Sequence, residues 1–201
     1  RIWVGSHPWV DIVPPTTNAE TYACLDGEVI MSENKWSYGN IVVIKHEWVY
    51  EPTDFSKKTT LFSCYLHLSQ LNVTKWDQVA EWTVIGKTGN TGNSTGEHLH
   101  FQIDKAEAPY HAYWPFTWTE QKAAGLDFMW AVNACLWMEN LKKYTIDPLV
   151  YLDKVSEYRK TPKVETKVVE TPKVVETKTE VVKATEVKVE TPKVELKTEV
   201  A

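Results

Sequence analysis

"TGNSTGEHLHF", residues 91–101, runs from a cluster of turn residues straight into two histidines separated by one leucine. Gly92, Asn93, Ser94, Thr95 and Gly96 are loop formers, and after them Leu99, Phe101 and Ile103 alternate with His98, His100 and Gln102. That period of two marks a half-buried strand, so both imidazoles stand on one face while Leu99 and Phe101 anchor the other. Taken alone, the pattern equally fits an ordinary strand whose polar face holds two histidines.

Working outward, the runs "TYACL", "EVIMS", "NIVVIKH", "LFSCYLHL" and "FQI" are short and β-like, and turn signals such as "DG" and "TGN" separate them. The fold class is therefore mainly β. Residues 104–144 form a helical insert, in which "TEQKAAGLDFMWAVNACLWMENLKKY" reads as one or two short helices that cap the sheet or border its groove. Near Lys160 the composition changes to Thr, Pro, Lys, Val and Glu, with "TPKVE" at Thr161 and Thr191 and "TPKVVE" at Thr171. From Lys160 onward there are nine lysines, eight glutamates, no aromatic residue and no glycine, so nothing there can build a core. The expected organisation is a domain over residues 1–155 and an extended, disordered linker over residues 156–201.

Composition excludes several function classes. With 201 residues and 43% hydrophobic content the chain can bury one core, and no apolar run approaches bilayer length. A net charge of −5 and a pI near 5.7, with no basic stripe, argue against nucleic acid as a partner. Cys24, Cys64 and Cys135 lack C-x-x-C spacing and read as buried thiols. The text starts at Arg1, almost inside a motif, so a fragment or processed product is expected, with any export signal upstream.

Two further stretches carry candidate ligands. "HPWVDI" places His7 and Asp11 three residues apart, a spacing that lets both side chains reach one ion, and "CYLHLS" puts His67 on a strand. Strict alternation there assigns Tyr65 and His67 to one face and Cys64, Leu66 and Leu68 to the other. His46 ends "NIVVIKH" and reads as a strand-end surface residue; His111 in "APYHAYWPF" reads as a packing or rim residue. Tyr38 and Tyr65 read as half-buried strand tyrosines without an assigned role.

The order H-x-x-x-D, then "YLHLS", then "GNTGNSTGEHLHF" resembles the lysostaphin/LytM-type zinc metallopeptidases, which cut peptide cross-bridges of bacterial cell walls. The resemblance spans about residues 6–103, with "DGEV" and "YGNIVVIKH" inside it, and resumes at "IDPLVYL", residues 146–152. It implies a small antiparallel β-sheet fold of sandwich or barrel-like type, a LytM-type (duplicated hybrid motif) domain with a groove across one sheet. His7, Asp11 and His100 match the metal ligands, and His67 and His98 match the catalytic histidine pair. The implied function is a Zn²⁺-dependent endopeptidase hydrolysing peptidoglycan cross-links, secreted or held in the bacterial envelope, with a peptidoglycan peptide as partner. One rival reading is a LytM-like wall-binding or regulatory module that does no chemistry; another is a wall-anchored stalk protein.

The chemistry of the residues agrees with that division. Two imidazoles and a carboxylate leave a fourth zinc position open for water, the character of a catalytic rather than a structural site. His98 then stands about 7 Å along the strand from His100, beside the reacting atoms without being forced to ligate.

Tryptophan is the compositional anomaly, with 10 Trp against 8 Gly. Trp9, Trp36, Trp48, Trp76 and Trp82 fall where the resemblance leads one to expect glycine, in turn-like segments that use its tolerance of positive φ. Either these indoles form a sugar-binding surface, or the gene's host reads UGA as glycine and the true residues are Gly.

Overall fold

The structure is a computed structural model that describes residues 9–161, so His7 and the repeat tail lie outside the described residues. Strands β1 (Trp9–Ile12), β2 (Glu20–Tyr22), β3 (Gly27–Lys35), β4 (Gly39–Tyr50), β5 (Lys58–Leu68), β6 (Gln70–Leu71), β7 (Gln78–Val79), β8 (Val84–Lys87) and β9 (Leu99–Lys105) come first. Helices α1 (Trp118–Ala123), α2 (Phe128–Asn133) and α3 (Met138–Tyr144) follow, then β10 (Thr145–Ile146) and α4 (Pro148–Lys160). The larger sheet runs β1-β9-β5-β4-β3-β7 with β10 joining the β1 edge of β9, and a smaller sheet runs β2-β8-β6. Every pairing is antiparallel, as the short alternating runs require.

Alternation along the central strands sorts side chains into two buried layers. On one face Val29, Val42, Ile44, Leu61, Tyr65, Phe101 and Ile103 pack with Ala23, Leu25 and Ile85 of the smaller-sheet side and with Tyr151 and Val155 of α4. On the other, Ile41, Val43, Cys64 and Leu66 pack with Ala112. Burial of both faces explains why "NIVVI" is continuously apolar rather than alternating. The 104–144 stretch holds three short helices rather than one or two. Gly125, at φ +67, follows the end of α1, and left-handed residues at Cys135 and Trp137 separate α2 from α3. Helix α4 starts with Asp147 capping Leu149 and Val150 and continues to Lys160, where Arg159 pairs with Glu81 at 2.7 Å.

Several expectations are corrected. His46 is fully buried, not at the surface, because it follows Val42 and Ile44 on the inward face of β4. Its Nδ1 donates to the Asp26 carbonyl at 2.8 Å, its Nε2 meets the Ser63 hydroxyl at 2.7 Å, and burial pushes its pKa down to about 4. Tyr65 is fully buried and its hydroxyl accepts the Cys24 amide at 2.9 Å. Cys64 is buried and Cys24 half-buried, but Cys135 is exposed, and all three are free thiols.

Candidate active site

Strand β9 anchors the site. Its register pairs His100 with Asp11 of β1 on one side and with Leu66 of β5 on the other. Residues directly opposite on paired strands share a face, so Asp11 and His100 stand side by side. His98 lies at the start of the strand, bridged to Gly89, with its Nε2 3.6 Å from Asp11 Oδ1. Its Nδ1 donates to the Gly96 carbonyl at 2.8 Å, leaving the lone pair on Nε2. Trp9 stacks on the His100 ring with centroids 4.2 Å apart.

His67 arrives by a route that alternation does not foresee. Between Tyr65 and Leu68 the β4–β5 register shifts, three steps on β5 facing two on β4, and His67 adopts φ +63. This is a bulge with a left-handed residue, and it turns His67 out of the Tyr65 face onto the face of the other two histidines. Tyr65 and Leu68 stay in the core, while the His67 ring comes within 5.0 Å of His98 and 5.8 Å of His100, centroid to centroid. The expected shared face for Tyr65 and His67 is thereby corrected.

The "TGN" loop holds His67 in place. Thr91 accepts His67 Nδ1 on its carbonyl at 2.8 Å, and its own hydroxyl donates to the Leu68 carbonyl at 2.7 Å. With Nδ1–H committed, His67 also presents a lone pair at Nε2. Burial lowers its pKa, against the opposing pull of the Thr91 carbonyl, so the ring is neutral at physiological pH.

Asp11, His67, His98 and His100 are thus brought together, while His7 lies outside the described residues. Among the described residues no group of three or more His, Cys, Asp or Glu side chains is placed to hold a metal ion. The donors that are placed, a carboxylate and an imidazole on one face of paired strands, are of the kind zinc accepts. His46 and His111 stand apart from the cluster: the first is bonded inside the core, and the second stacks on Phe62 at 3.8 Å. Thr91, Gln102 and Asp104 were not singled out from sequence. Gln102 and Asp104 continue the alternation of His98 and His100 along β9, and that period is the signal that marks them.

Residues 5–112, just over half of the chain, match the family model described as Peptidase family M23. The chain belongs to peptidase family M23. Among its relatives, the peptidoglycan DD-endopeptidase ShyA of Vibrio cholerae is 35% identical over 109 residues, covering 54% of this chain and 23% of that protein. The glycyl-glycine endopeptidase ALE-1 of Staphylococcus capitis is 53% identical over 38 residues, covering 19% of this chain and 10% of that protein. A crystal structure of a zinc-containing peptidase from Vibrio cholerae is 33% identical with a TM-score of 0.41, covering 48% of this chain and 26% of that one. This M23 chain spans under a quarter of the length of the first curated relatives it matches.

Proposed function

We propose that this M23 chain is a zinc-dependent endopeptidase that hydrolyses peptide cross-links of bacterial peptidoglycan, working in secreted or envelope-bound form. One observation carries the reading. A left-handed bulge residue, His67, is turned from the core face to meet His98 and His100, a placement that core packing does not require. The wall peptide as substrate rests on kinship with peptidoglycan endopeptidases.

In this reading His7, Asp11 and His100 hold zinc, which when bound supplies Lewis acidity toward the scissile carbonyl and toward water. His67 and His98 both direct a lone-pair Nε2 into the site, because each has given its Nδ1–H to a backbone carbonyl. One imidazole takes the proton of the attacking water at its Nε2 and passes that same proton to the leaving amine, while the other uses its Nε2 lone pair to orient the water.

The test is zinc content and muropeptide cleavage measured on one purified sample. His100→Ala should lose both metal and turnover, while His98→Ala should keep metal and lose turnover. Equal loss of zinc in both variants would reject the division of roles. A wild-type chain with neither zinc nor cleavage would return it to a binding or regulatory module.

A further inference from the structure

Behind His100 a column of buried polar groups continues along β9. His100 Nε2 lies 3.2 Å from Gln102 Oε1, and the Gln102 amide nitrogen donates to Asp104 Oδ1 and, at 2.9 Å, to the Tyr113 carbonyl. Asp104 is fully buried, and its other oxygen accepts the Tyr113 amide at 2.9 Å and His111 Nδ1 at 3.0 Å. The Cys64 thiol points at the same oxygen from 3.7 Å. A carboxylate only accepts, so Gln102 must turn its NH₂ toward Asp104 and its carbonyl oxygen toward His100. An oxygen there obliges His100 Nε2 to be the protonated nitrogen and places the lone pair on Nδ1.

We propose that Asp104, acting through Gln102, is a positioning residue that fixes which nitrogen of His100 is offered to the metal; this rests on the metal reading above. The column explains why a carboxylate and an amide lie buried, with the half-buried His111 against them, outside the catalytic cluster. Outer partners that set the tautomer of a ligating histidine commonly change metal affinity by about 10–100-fold when removed. In Asp104→Asn the Tyr113 amide and His111 keep the remaining oxygen, so the new amide nitrogen faces Gln102. The Tyr113 carbonyl alone then still holds the Gln102 amide nitrogen, so the donor–donor contact loosens the Gln102 orientation that keeps His100 protonated at Nε2.

Nitrogen NMR of the histidine rings in metal-free wild-type protein reads the tautomer directly. Protonation of His100 at Nε2 is expected, and protonation at Nδ1 overturns the proposal whatever any variant does. Zinc affinity, measured by competition with a chromophoric chelator, should fall at least about tenfold in Asp104→Asn while the metal-free melting temperature changes little. A variant that loses metal-free stability but keeps wild-type zinc affinity shows a structural role alone and overturns the proposal. Zinc binding that survives His100→Ala defeats the metal reading and the relay with it. Binding lost in His100→Ala but unchanged in Asp104→Asn defeats the relay alone.

A separate observation concerns the tryptophans. Trp48, Trp76, Trp82 and Trp137 have φ of 57°, 80°, 71° and 56°, four of the seven non-glycine residues with positive φ among the described residues. A bulky side chain rarely occupies this region, and one such residue is already an outlier. Each position is one where backbone geometry calls for glycine. Trp76 and Trp82 are the third residues of turns closed by Asp77 N to Thr74 O at 3.1 Å and Thr83 N to Ala80 O at 3.0 Å, and positive φ there is the type II requirement. Trp137 is likewise third in the turn closed by Met138 N to Cys135 O at 3.1 Å. Trp48 sits where the β4–β5 register slips between His46 and Val49, a left-handed bulge position. Packing does not compensate, since the first three indoles are 80%, 65% and 73% exposed and Trp137 is 49% exposed.

We infer that the native residue at 48, 76, 82 and 137 is glycine, encoded by UGA in a host that reads this codon as glycine. Trp9 and Trp36 lack the positive φ and stay outside this inference. The codons and the peptide masses of protein from the native host decide it. UGA and glycine-containing peptides are expected; UGG or tryptophan-containing peptides at these positions overturn it. In recombinant protein, Trp48→Gly, Trp76→Gly and Trp82→Gly together should raise the melting temperature, whereas Trp130→Gly inside α2 should lower it. A triple variant that melts no higher than the parent also overturns it.

Discussion

His67 shows how much a single backbone angle decides. In regular alternation its side chain would enter the core beside Tyr65; at φ +63 it joins His98 and His100. A left-handed non-glycine residue costs about 1–2 kcal/mol, a strain that the Thr91 carbonyl and the surrounding ladder hold in place. His67→Gly and His67→Ala should therefore both lose at least about 100-fold in kcat/KM, since each removes the imidazole. They should differ in stability, with the glycine variant the more stable by about 1 kcal/mol, because only glycine accepts this φ freely. Equal chemical denaturation midpoints for the two would contradict the strain. The pair His98 and His100 was legible in the sequence because β9 is regular. The orientation of His67 was not, because a bulge breaks the period on which the reading depends. His46 escaped for another reason: a histidine ending an apolar run looks like its boundary, and only its partners, the Asp26 carbonyl and the Ser63 hydroxyl, disclose that it is inside.

That burial has a pH consequence. His46 in the fold titrates near 4, whereas an unfolded histidine titrates near 6.5, and Cys24 Sγ at 3.9 Å offers no opposing charge. Between these values the unfolded chain binds a proton that the fold refuses, so stability rises with pH through the window and is lost as pH falls from about 6.5 to about 4. The shift corresponds to roughly 3 kcal/mol. Urea denaturation from pH 7 to pH 4 should show this loss, and His46→Gln should flatten the profile over the same range. An identical slope in the variant would mean that other groups carry the acid sensitivity.

At the scale of elements, the loop between β8 and β9 is best understood as a support for His67. Gly92 at φ +73 lies against Gly39 at φ +64, and a Cβ on either would strike backbone of the other loop. The contact sets Thr91, whose hydroxyl accepts the Asn40 amide at 2.9 Å and whose carbonyl holds the imidazole. Gly92→Ala should destabilise the domain by more than the roughly 1 kcal/mol of its left-handed angle, since the clash is with main chain. Because the loop also orients His67, kcat should fall more steeply than stability does, and parallel melting and rate measurements would separate the two effects. The sequence showed the loop as a run of turn formers without showing what it supports, since the supporting contacts cross from one loop to another. The helical insert was legible as helical, but its division into three was not, because two of its stops are a cysteine and a tryptophan in the left-handed region rather than glycine or proline.

For the whole molecule, the separation between core and site governs what metal removal should do. The main apolar cluster lies on the face of the larger sheet that carries Tyr65 and Phe101, and it includes none of Asp11, His67, His98 or His100. Folding should therefore not require the metal, unlike small domains whose core is the metal site. Zinc, binding the folded chain alone, should add stability by mass action, about 2.7 kcal/mol when free zinc exceeds its Kd by 100-fold. In a domain of this size that corresponds to a rise of roughly 5–10 °C in melting temperature. A chelator should abolish cleavage and remove this increment while leaving a cooperative transition, and restored zinc should recover both. His100→Ala should melt near the metal-free wild type and ignore added zinc. If chelation instead unfolds the domain, the site is part of the core after all; if it alters neither melting nor cleavage, the carboxylate and histidines serve something other than a metal.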